Sequence, residues 1–223
     1  MKQHSHIPTT IFDNFFDDPD KIRKWALSLE YHATTTGNWP GLRTKFIHEI
    51  DEPFFNYTCM RVLAQFYDIT KENVTWNAMM QFQLVDKKYG SGWVHSDESA
   101  GDITGLIYLS PDCHIGGGTS IYQTKQNVIQ SNNDNLSHKI SFFLDKANHD
   151  QVENFRQENN SQFEETISIS NVYNRLLCFD SHLCHSAQEY FGEGEESRLT
   201  LVFFMSNIRS NNTPVSRVRR VPV

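Results

Sequence analysis

The spacing of apolar residues changes along the chain from a helical to a strand-like period. Within 18–30 and again within 51–66, apolar residues recur every three or four positions, and each stretch opens with an aspartate close to a proline. Such spacing produces one apolar stripe on a helix, and an acidic residue with proline commonly marks a helix start. We therefore expect two amphipathic helices near the N-terminus that cover the outside of a sheet.

After Lys71 the apolar positions alternate with polar ones, most regularly over 74–84. Alternation of this kind predicts a strand with one buried face. Shorter strands, bounded by Gly, Asn, Asp, Ser or Pro, are predicted at 93–95, 103–109, 119–123, 167–172, 176–179 and 199–205. Many short strands with turn residues between them favour a sandwich or barrel, of which a jelly roll can hold a metal in its mouth. The predicted fold class is mainly β, within α+β, with flanking N-terminal helices.

The length of 223 residues fits a single domain. We expect residues 1–70 to form a helical support and residues 74–205 a jelly-roll core. Between 123 and 171 the composition shifts to Asn, Gln and Ser, with few apolar anchors, which predicts an insertion between core strands. Two interpretations stay open for it: a surface loop with one short helix, or a lid over the substrate.

Composition narrows the classes of partner. The net charge of -7 and the pI near 5.8 argue against a nucleic-acid-binding surface. The sequence contains no apolar run of signal-peptide or membrane-spanning length, so we expect a cytoplasmic protein with no membrane contact. Its four cysteines form no Cys-X-X-Cys pair, which argues against a zinc knuckle or a disulfide framework.

Candidate metal ligands stand out in one triplet and one distant histidine. His95 and Asp97 flank one residue, so their side chains point to the same side of an extended segment. His185 lies in an alternating apolar stretch and is the preferred third ligand, with His182 and His114 as competitors. Two imidazoles and one carboxylate on one face of a divalent metal form the facial triad of non-haem Fe(II) oxygenases.

Arg198 begins the last predicted strand, thirteen residues after His185. Alternation places it on the face opposite to the apolar residues Leu199 and Leu201. A buried arginine is costly unless it holds an anion, so this residue indicates a carboxylate ligand. The alternative is an arginine at the strand edge, in water.

The motifs together resemble the Fe(II)- and 2-oxoglutarate-dependent oxygenases, in their prolyl 4-hydroxylase-like branch. The matching segments, in chain order, are 90–97, 104–109, 116–119, 183–186 and 198–200. The resemblance implies a double-stranded β-helix, the cupin-like form of the jelly roll. It also implies His95, Asp97 and His185 as iron ligands and Arg198 as the partner of the distal 2-oxoglutarate carboxylate. Because Asp97 occupies the carboxylate position, halogenation is disfavoured.

Two further residues enter as cosubstrate candidates. Tyr108 matches a tyrosine that hydrogen-bonds the same carboxylate in some members, although a core tyrosine is the alternative. Thr200, one position beyond Arg198 on the same strand face, is a weaker candidate.

The resemblance implies hydroxylation of a prolyl, peptidyl or small-molecule substrate with Fe(II) as the cofactor. The cosubstrates 2-oxoglutarate and O2 would be consumed, and succinate and CO2 would be released. As a hypothesis, Trp39, Arg43, Trp93 and Tyr122 contribute to the substrate pocket. Two rivals remain: a metal-binding jelly roll without turnover, and a cupin-type enzyme that needs no cosubstrate.

Overall fold

A computed structural model describes residues 7–111, 115–125, 139–144 and 149–216. Its strands are β1 (Thr10–Phe12), β2 (His32–Ala33), β3 (Leu42–Arg43), β4 (Thr75–Val85), β5 (Ile103–Tyr108), β6 (Thr119–Thr124), β7 (Phe163–Ile169), β8 (Leu176–Asp180), β9 (Cys184–Ala187) and β10 (Arg198–Arg209). Its helices are α1 (Pro19–Leu27), α2 (Ile47–Ile50), α3 (Glu52–Leu63) and α4 (His149–Ser161), and residues 139–143 are also helical.

The strands form two antiparallel sheets. The larger sheet has seven strands in the order β1-β8-β5-β10-β4-β3-β2, and the smaller has three in the order β7-β6-β9. Neighbours in space are mostly distant in sequence, as Greek-key connections require. The prediction of a mainly β jelly roll with flanking helices is confirmed.

The larger sheet has one apolar face and one face that borders a cavity. On β10, Leu199, Leu201 and Phe203 are fully buried in the main core, together with residues of α1 and α3. Trp25 of α1 packs edge-on against Phe82 of β4 at 5.4 Å between ring centroids. This burial of apolar side chains attaches the helices to the sheet and leaves its other face for the functional site.

Both predicted helices exist, and each has the N-terminal cap that its sequence suggested. Asp18 accepts a hydrogen bond from the Lys21 amide at 3.0 Å, and Asp51 accepts one from the Phe54 amide at 2.9 Å. These bonds satisfy backbone donors that the first helical turn leaves free.

The predicted strands differ from the observed ones at several points. Residues 93–95 contribute a single bridge, His95 to His185, because tight turns precede and follow them. The strand predicted at 167–172 is β7, which begins earlier, at Phe163. The first residues of β7 do not alternate between apolar and polar, because β7 is an edge strand with most of its side chains in water. The alternation pattern therefore did not reveal where this strand begins. Residues 1–70 also contain β1 to β3, which are too short to show a period.

The insertion is therefore shorter than predicted, since it connects β6 to β7 and includes α4. Its apolar anchors form a second small core. Phe142, Phe143 and Val152 pack there with Tyr89 and Trp93. The anchored part of the insertion is thus a packed element beside the segment that leads to His95.

The structure bears on two expectations from composition, those on cysteine pairing and on membrane-spanning segments. Cys59, Cys178 and Cys184 are free thiols, whereas Cys113 lies outside the described residues. In the described part of the chain, no helix combines the length and apolar character needed to span a membrane.

We expect Phe82→Ala to lower the free energy of unfolding by about 3–5 kcal/mol, because it removes a fully buried ring from the contact between α1 and β4. Urea denaturation would measure the loss. The control is Ile167→Ala on β7, where the side chain is 41% exposed and the loss should be within about 1 kcal/mol. Equal losses in the two variants would contradict this account of the core.

Candidate metal centre

A backbone bridge brings the two candidate histidines side by side. The His95 amide donates to the His185 carbonyl at 3.1 Å, and the His185 amide donates to the His95 carbonyl at 2.8 Å. Their ring centroids lie 4.6 Å apart. With Asp97, one ligand atom from each residue falls within 4.8 Å of the others. The structure thus places the three predicted residues together, in a cluster small enough to hold one metal ion.

Each imidazole is oriented by a carbonyl two residues earlier in the chain. His95 Nδ1 lies 2.7 Å from the Trp93 carbonyl oxygen, and His185 Nδ1 lies 3.0 Å from that of Leu183. A carbonyl only accepts, so Nδ1 carries the proton and Nε2 presents its lone pair. The two Nε2 atoms lie 3.5 and 3.1 Å from the Asp97 carboxylate. This orientation of the outer nitrogen is typical of metal-ligating histidines.

Asp97 is held by β5 and by the turn after β8. Its Oδ2 accepts a hydrogen bond from the Thr104 hydroxyl at 3.1 Å, and its amide donates to the Ser181 carbonyl at 2.9 Å. His182, by contrast, pairs with Asp180 at 2.9 Å in an exposed position, away from the cluster. Of the other ligand competitors, His114 lies outside the described residues.

The protonation states suit metal binding. Burial, followed by the positive charge of Lys139, lowers the pKa of His95 to about 4, so its ring is neutral at pH 7. Burial alone would raise the pKa of Asp97, but the neighbouring side chains of His185 and His95 outweigh this effect and hold that pKa well below its usual range. A neutral imidazole and an ionised carboxylate are the forms that coordinate cations.

Arg198 lies beside a cavity that His95, Asp97 and His185 also border, and only 4% of its surface is exposed. Its Nε donates to the Gly117 carbonyl at 2.7 Å, while its buried Nη2 has no hydrogen-bond partner. The guanidinium carbon lies 5.4 Å from the Tyr108 ring centroid and 5.8 Å from that of Tyr190. Among the described residues it has no carboxylate partner, so it is a buried cation that can still accept an anion.

Tyr108 and Thr200 do not border the cavity. Tyr108 is fully buried, and its hydroxyl donates to Thr119 Oγ1 at 2.9 Å. Thr200 is also buried, in register with Tyr108 on the neighbouring strand. Thr119 borders the cavity in their place, so a direct bond from Tyr108 to a ligand requires its hydroxyl to leave Thr119.

The cavity, about 570 Å³ in volume, lies between the two sheets. His95, Asp97, His185 and Arg198 all border it. Of the predicted substrate residues, Trp39, Arg43 and Trp93 also border it. Tyr122 does not, because its hydroxyl points toward Ser186, which donates to it at 3.4 Å.

Sequence reasoning missed other residues of the cavity wall. Gln81 and Gln83 belong to the polar face of β4, whose alternation was visible in the sequence and marked them as facing away from the apolar core. Lys139 and Tyr190 gave no comparable signal, since each lies in or beside a loop.

Comparison of sequences gives the family. The model of DUF6445, a family of unknown function, matches residues 2–205. The chain belongs to the DUF6445 family. No curated protein matches this DUF6445 chain.

Comparison of structures gives the fold. HygX from Streptomyces hygroscopicus, solved with nickel, 2-oxoglutarate and hygromycin B, aligns with a TM-score of 0.52 and 14% identity over 89% of this chain and 82% of HygX. EvdO2 from Micromonospora carbonacea var. aurantiaca aligns with a TM-score of 0.52 and 11% identity over 96% and 92%. A prolyl hydroxylase from Trichoplax adhaerens gives a TM-score of 0.49 and 10% identity over 92% and 84%. The DUF6445 chain has the double-stranded β-helix fold of 2-oxoglutarate-Fe(II) oxygenases, as the motifs implied.

In this DUF6445 protein, the insertion helix α4 holds the segment that precedes His95. Asn160 accepts from the Val94 amide at 2.9 Å and donates to the Gly92 carbonyl at 3.0 Å. Asn159 donates to the Val94 carbonyl at 3.1 Å. Arg156 donates to the Ser91 carbonyl at 2.7 Å. Two side-chain amides and one guanidinium thus satisfy backbone groups that a neighbouring strand would otherwise pair.

The other side of this segment lies against β9. The Gly92 amide donates to the Ala187 carbonyl at 2.9 Å. A Cβ at Gly92 would lie 2.7 Å from the Ala187 nitrogen, so only glycine permits this approach. The backbone before His95 is therefore held from both sides, by α4 and by β9.

We expect Asn160→Ala to weaken binding of Ni(II) or Mn(II) by about tenfold while the protein stays folded, because residues that support ligands commonly contribute that much. Calorimetric titration of the metal-free protein would measure the change. Asn154→Ala is the matched control, since Asn154 lies exposed on the same helix. Unchanged metal affinity in Asn160→Ala would show that α4 does not position His95.

Proposed function

We propose that this protein is an Fe(II)- and 2-oxoglutarate-dependent oxygenase that hydroxylates a prolyl, peptidyl or small-molecule substrate. The observation that carries the proposal is the buried, unpaired Nη2 of Arg198 beside the same cavity as the histidine and aspartate cluster. Three metal-ligating side chains alone occur in many classes of protein. The same three side chains together with an unpaired, buried arginine favour a cosubstrate that chelates the metal at one end and carries a carboxylate at the other.

His95, Asp97 and His185 would hold the iron. Their donor set of two imidazole nitrogens and one carboxylate suits Fe(II) and leaves other coordination positions for ligands. Iron bound there would supply the activation of O2 that is coupled to the oxidative decarboxylation of 2-oxoglutarate. The residues' own part is to keep Nε2 unprotonated and the carboxylate ionised, as the carbonyl and hydroxyl contacts already do.

Arg198 would bind the distal carboxylate of 2-oxoglutarate. Its Nε is taken by the Gly117 carbonyl, which fixes the plane of the guanidinium, and Nη2 is left to donate. Burying a cation without a partner is expensive, and a charge-assisted bond to a carboxylate removes that penalty. The rings of Tyr108 and Tyr190, with centroids 5.4 and 5.8 Å from the guanidinium carbon, help to orient it.

The rival functions account for fewer of these contacts. A structural zinc site is normally closed by four protein ligands, and the cluster here offers three among the described residues. A cupin-type enzyme without a cosubstrate would share the metal ligands but would have no anion for Arg198.

The test is anaerobic addition of Fe(II) and 2-oxoglutarate to the metal-free protein. We expect the visible charge-transfer band of a chelated 2-oxo acid, and we expect His185→Ala to abolish it because one ligand is gone. Succinate and CO2 should then form in equal amounts when O2 is admitted. Absence of the band from folded, iron-loaded protein would contradict the proposal.

Arg198→Leu should still bind the metal but require about 30-fold or more 2-oxoglutarate for the same band, as expected when one partner of a buried charge pair is removed. Arg209→Leu is the matched control, because Arg209 is exposed at the far end of the same strand. An unchanged requirement in Arg198→Leu would assign the carboxylate to another residue.

A further inference from the structure

The cavity contains more positive charge than the proposed cosubstrate neutralises. Arg43 and Lys139 border it in addition to Arg198, whereas Asp97 is the one carboxylate among its described lining residues. We infer that the substrate carries an oxyanion, a carboxylate or a phosphate, that is held by Arg43 and Lys139. This inference rests on the proposed function and extends it to the chemical class of the substrate.

Arg43 is held in place but not neutralised. Its guanidinium carbon lies 4.8 Å from the Trp39 ring centroid, and its Nη2 makes a long hydrogen bond of 3.5 Å to Gln83 Oε1. Its Nε is buried and has no hydrogen-bond partner. Stacking on an indole orients a guanidinium without using its donors, which leaves them for a ligand.

Gln83 is itself fixed, since its Nε2 donates to the Pro40 carbonyl at 2.9 Å. That bond directs its carbonyl oxygen toward Arg43. In the part of the chain that the structure describes, no carboxylate lies within ion-pair distance of Arg43. Burial lowers the pKa of Arg43 to about 10, opposed by the charge of Asp97, so the side chain remains positive at pH 7.

Lys139 brings a second cation from a different element. It lies in the helical residues 139–143, and its Nζ is 5.8 Å from the Phe143 ring centroid. Burial lowers the pKa of Lys139, and the charge of Asp97 opposes the shift. No ion pair joins Lys139 to another described residue, so its charge is also available to a ligand.

The loop that carries Trp39 touches the insertion near Lys139. Gly37 has a φ of +72°, and a Cβ there would lie 2.7 Å from the carbonyl oxygen of Ile140. The loop and the helical residues 139–143 therefore meet, and the cavity is bordered both by Lys139 and by Arg43 of β3, the strand that follows the loop. We expect the anion to contact both side chains.

The balance of charge supports this assignment. Iron(II) and doubly charged 2-oxoglutarate neutralise each other, and Asp97 neutralises Arg198 in the sum. Two positive charges, those of Arg43 and Lys139, are then left in a partly buried cavity. Because unpaired buried charge is unfavourable, a neutral or cationic substrate would leave this excess in place. The excess is not a general property of the chain, whose net charge is -7.

The experiment uses the full-length protein loaded with Ni(II) and 2-oxoglutarate, a redox-inert complex in which Arg198 is already occupied. Three probes with the same pentyl chain are titrated by calorimetry: hexanoate, pentyl phosphate and the neutral hexanamide. We expect at least one anion to bind about tenfold or more tightly than hexanamide, as charge-assisted bonds in a desolvated site predict. The preferred anion distinguishes a carboxylate from a phosphate substrate.

Arg43→Gln and Lys139→Gln should each reduce this preference, and Arg43→Lys should retain part of it because it keeps the charge without the planar fork. The two glutamine substitutions lie in different elements of the cavity wall. If one variant fails to fold, the other still tests the inference. Arg209→Gln controls for the general loss of a positive charge and should leave the preference unchanged. Loading with 2-oxoglutarate should be the same in all these variants.

Equal binding of all three probes would overturn the inference and leave the proposed function intact. Loss of 2-oxoglutarate loading in Arg43→Gln would also overturn it, since Arg43 would then belong to the cosubstrate site. Failure of the wild-type protein to take up 2-oxoglutarate would contradict the proposed function itself, and the inference with it.

Discussion

The site depends on one short antiparallel bridge between His95 and His185. Two backbone hydrogen bonds join segments that lie ninety residues apart in sequence, and they set both imidazoles on one side. The remaining features follow from this pairing: Asp97 reaches the rings because it is two residues beyond His95, and the carbonyls of Trp93 and Leu183 turn the rings. A metal site requires such fixed geometry because ligand atoms must converge before the ion arrives.

The second constraint is the burial of cations in a protein of acidic composition. Arg198 donates to the Gly117 carbonyl and lies near two tyrosine rings, and the Arg43 guanidinium lies over the Trp39 ring. Each guanidinium is oriented by neutral partners, namely rings and backbone or amide oxygens, which do not cancel its charge. This arrangement leaves positive charge beside the cavity in a chain whose net charge is -7.

Much of the fold could be predicted because its signals are local. The alternation on β4 and β10, and the aspartate caps of α1 and α3, follow from rules that act within a few residues. The order of β1-β8-β5-β10-β4-β3-β2 could not be predicted, because pairing between distant strands leaves no local mark. The strands β2 and β3 could not be predicted either, because two residues are too few to show a period.

For the candidate site, the clustering of His95, Asp97, His185 and Arg198 could be expected from the motif resemblance, and the alternating apolar pattern around His185 favoured it over His182. The bridge between His95 and His185 could not be predicted, because it is a tertiary contact. Lys139 was missed because it lies in an insertion rich in polar residues, where a residue facing a cavity and one facing water look alike.

The hydrogen bonds from α4 to the backbone before His95 bear on how the protein matures. Asn160 is 66 residues beyond Val94, and β9 follows later still, so the loop before His95 has neither support until most of the chain has been synthesised. A nascent chain would therefore pass through a stage in which the larger sheet lacks β8, β10 and the neighbours of His95. Metal binding by His95, Asp97 and His185 would then be a late step, and a bound ion would mark a chain that has completed its fold.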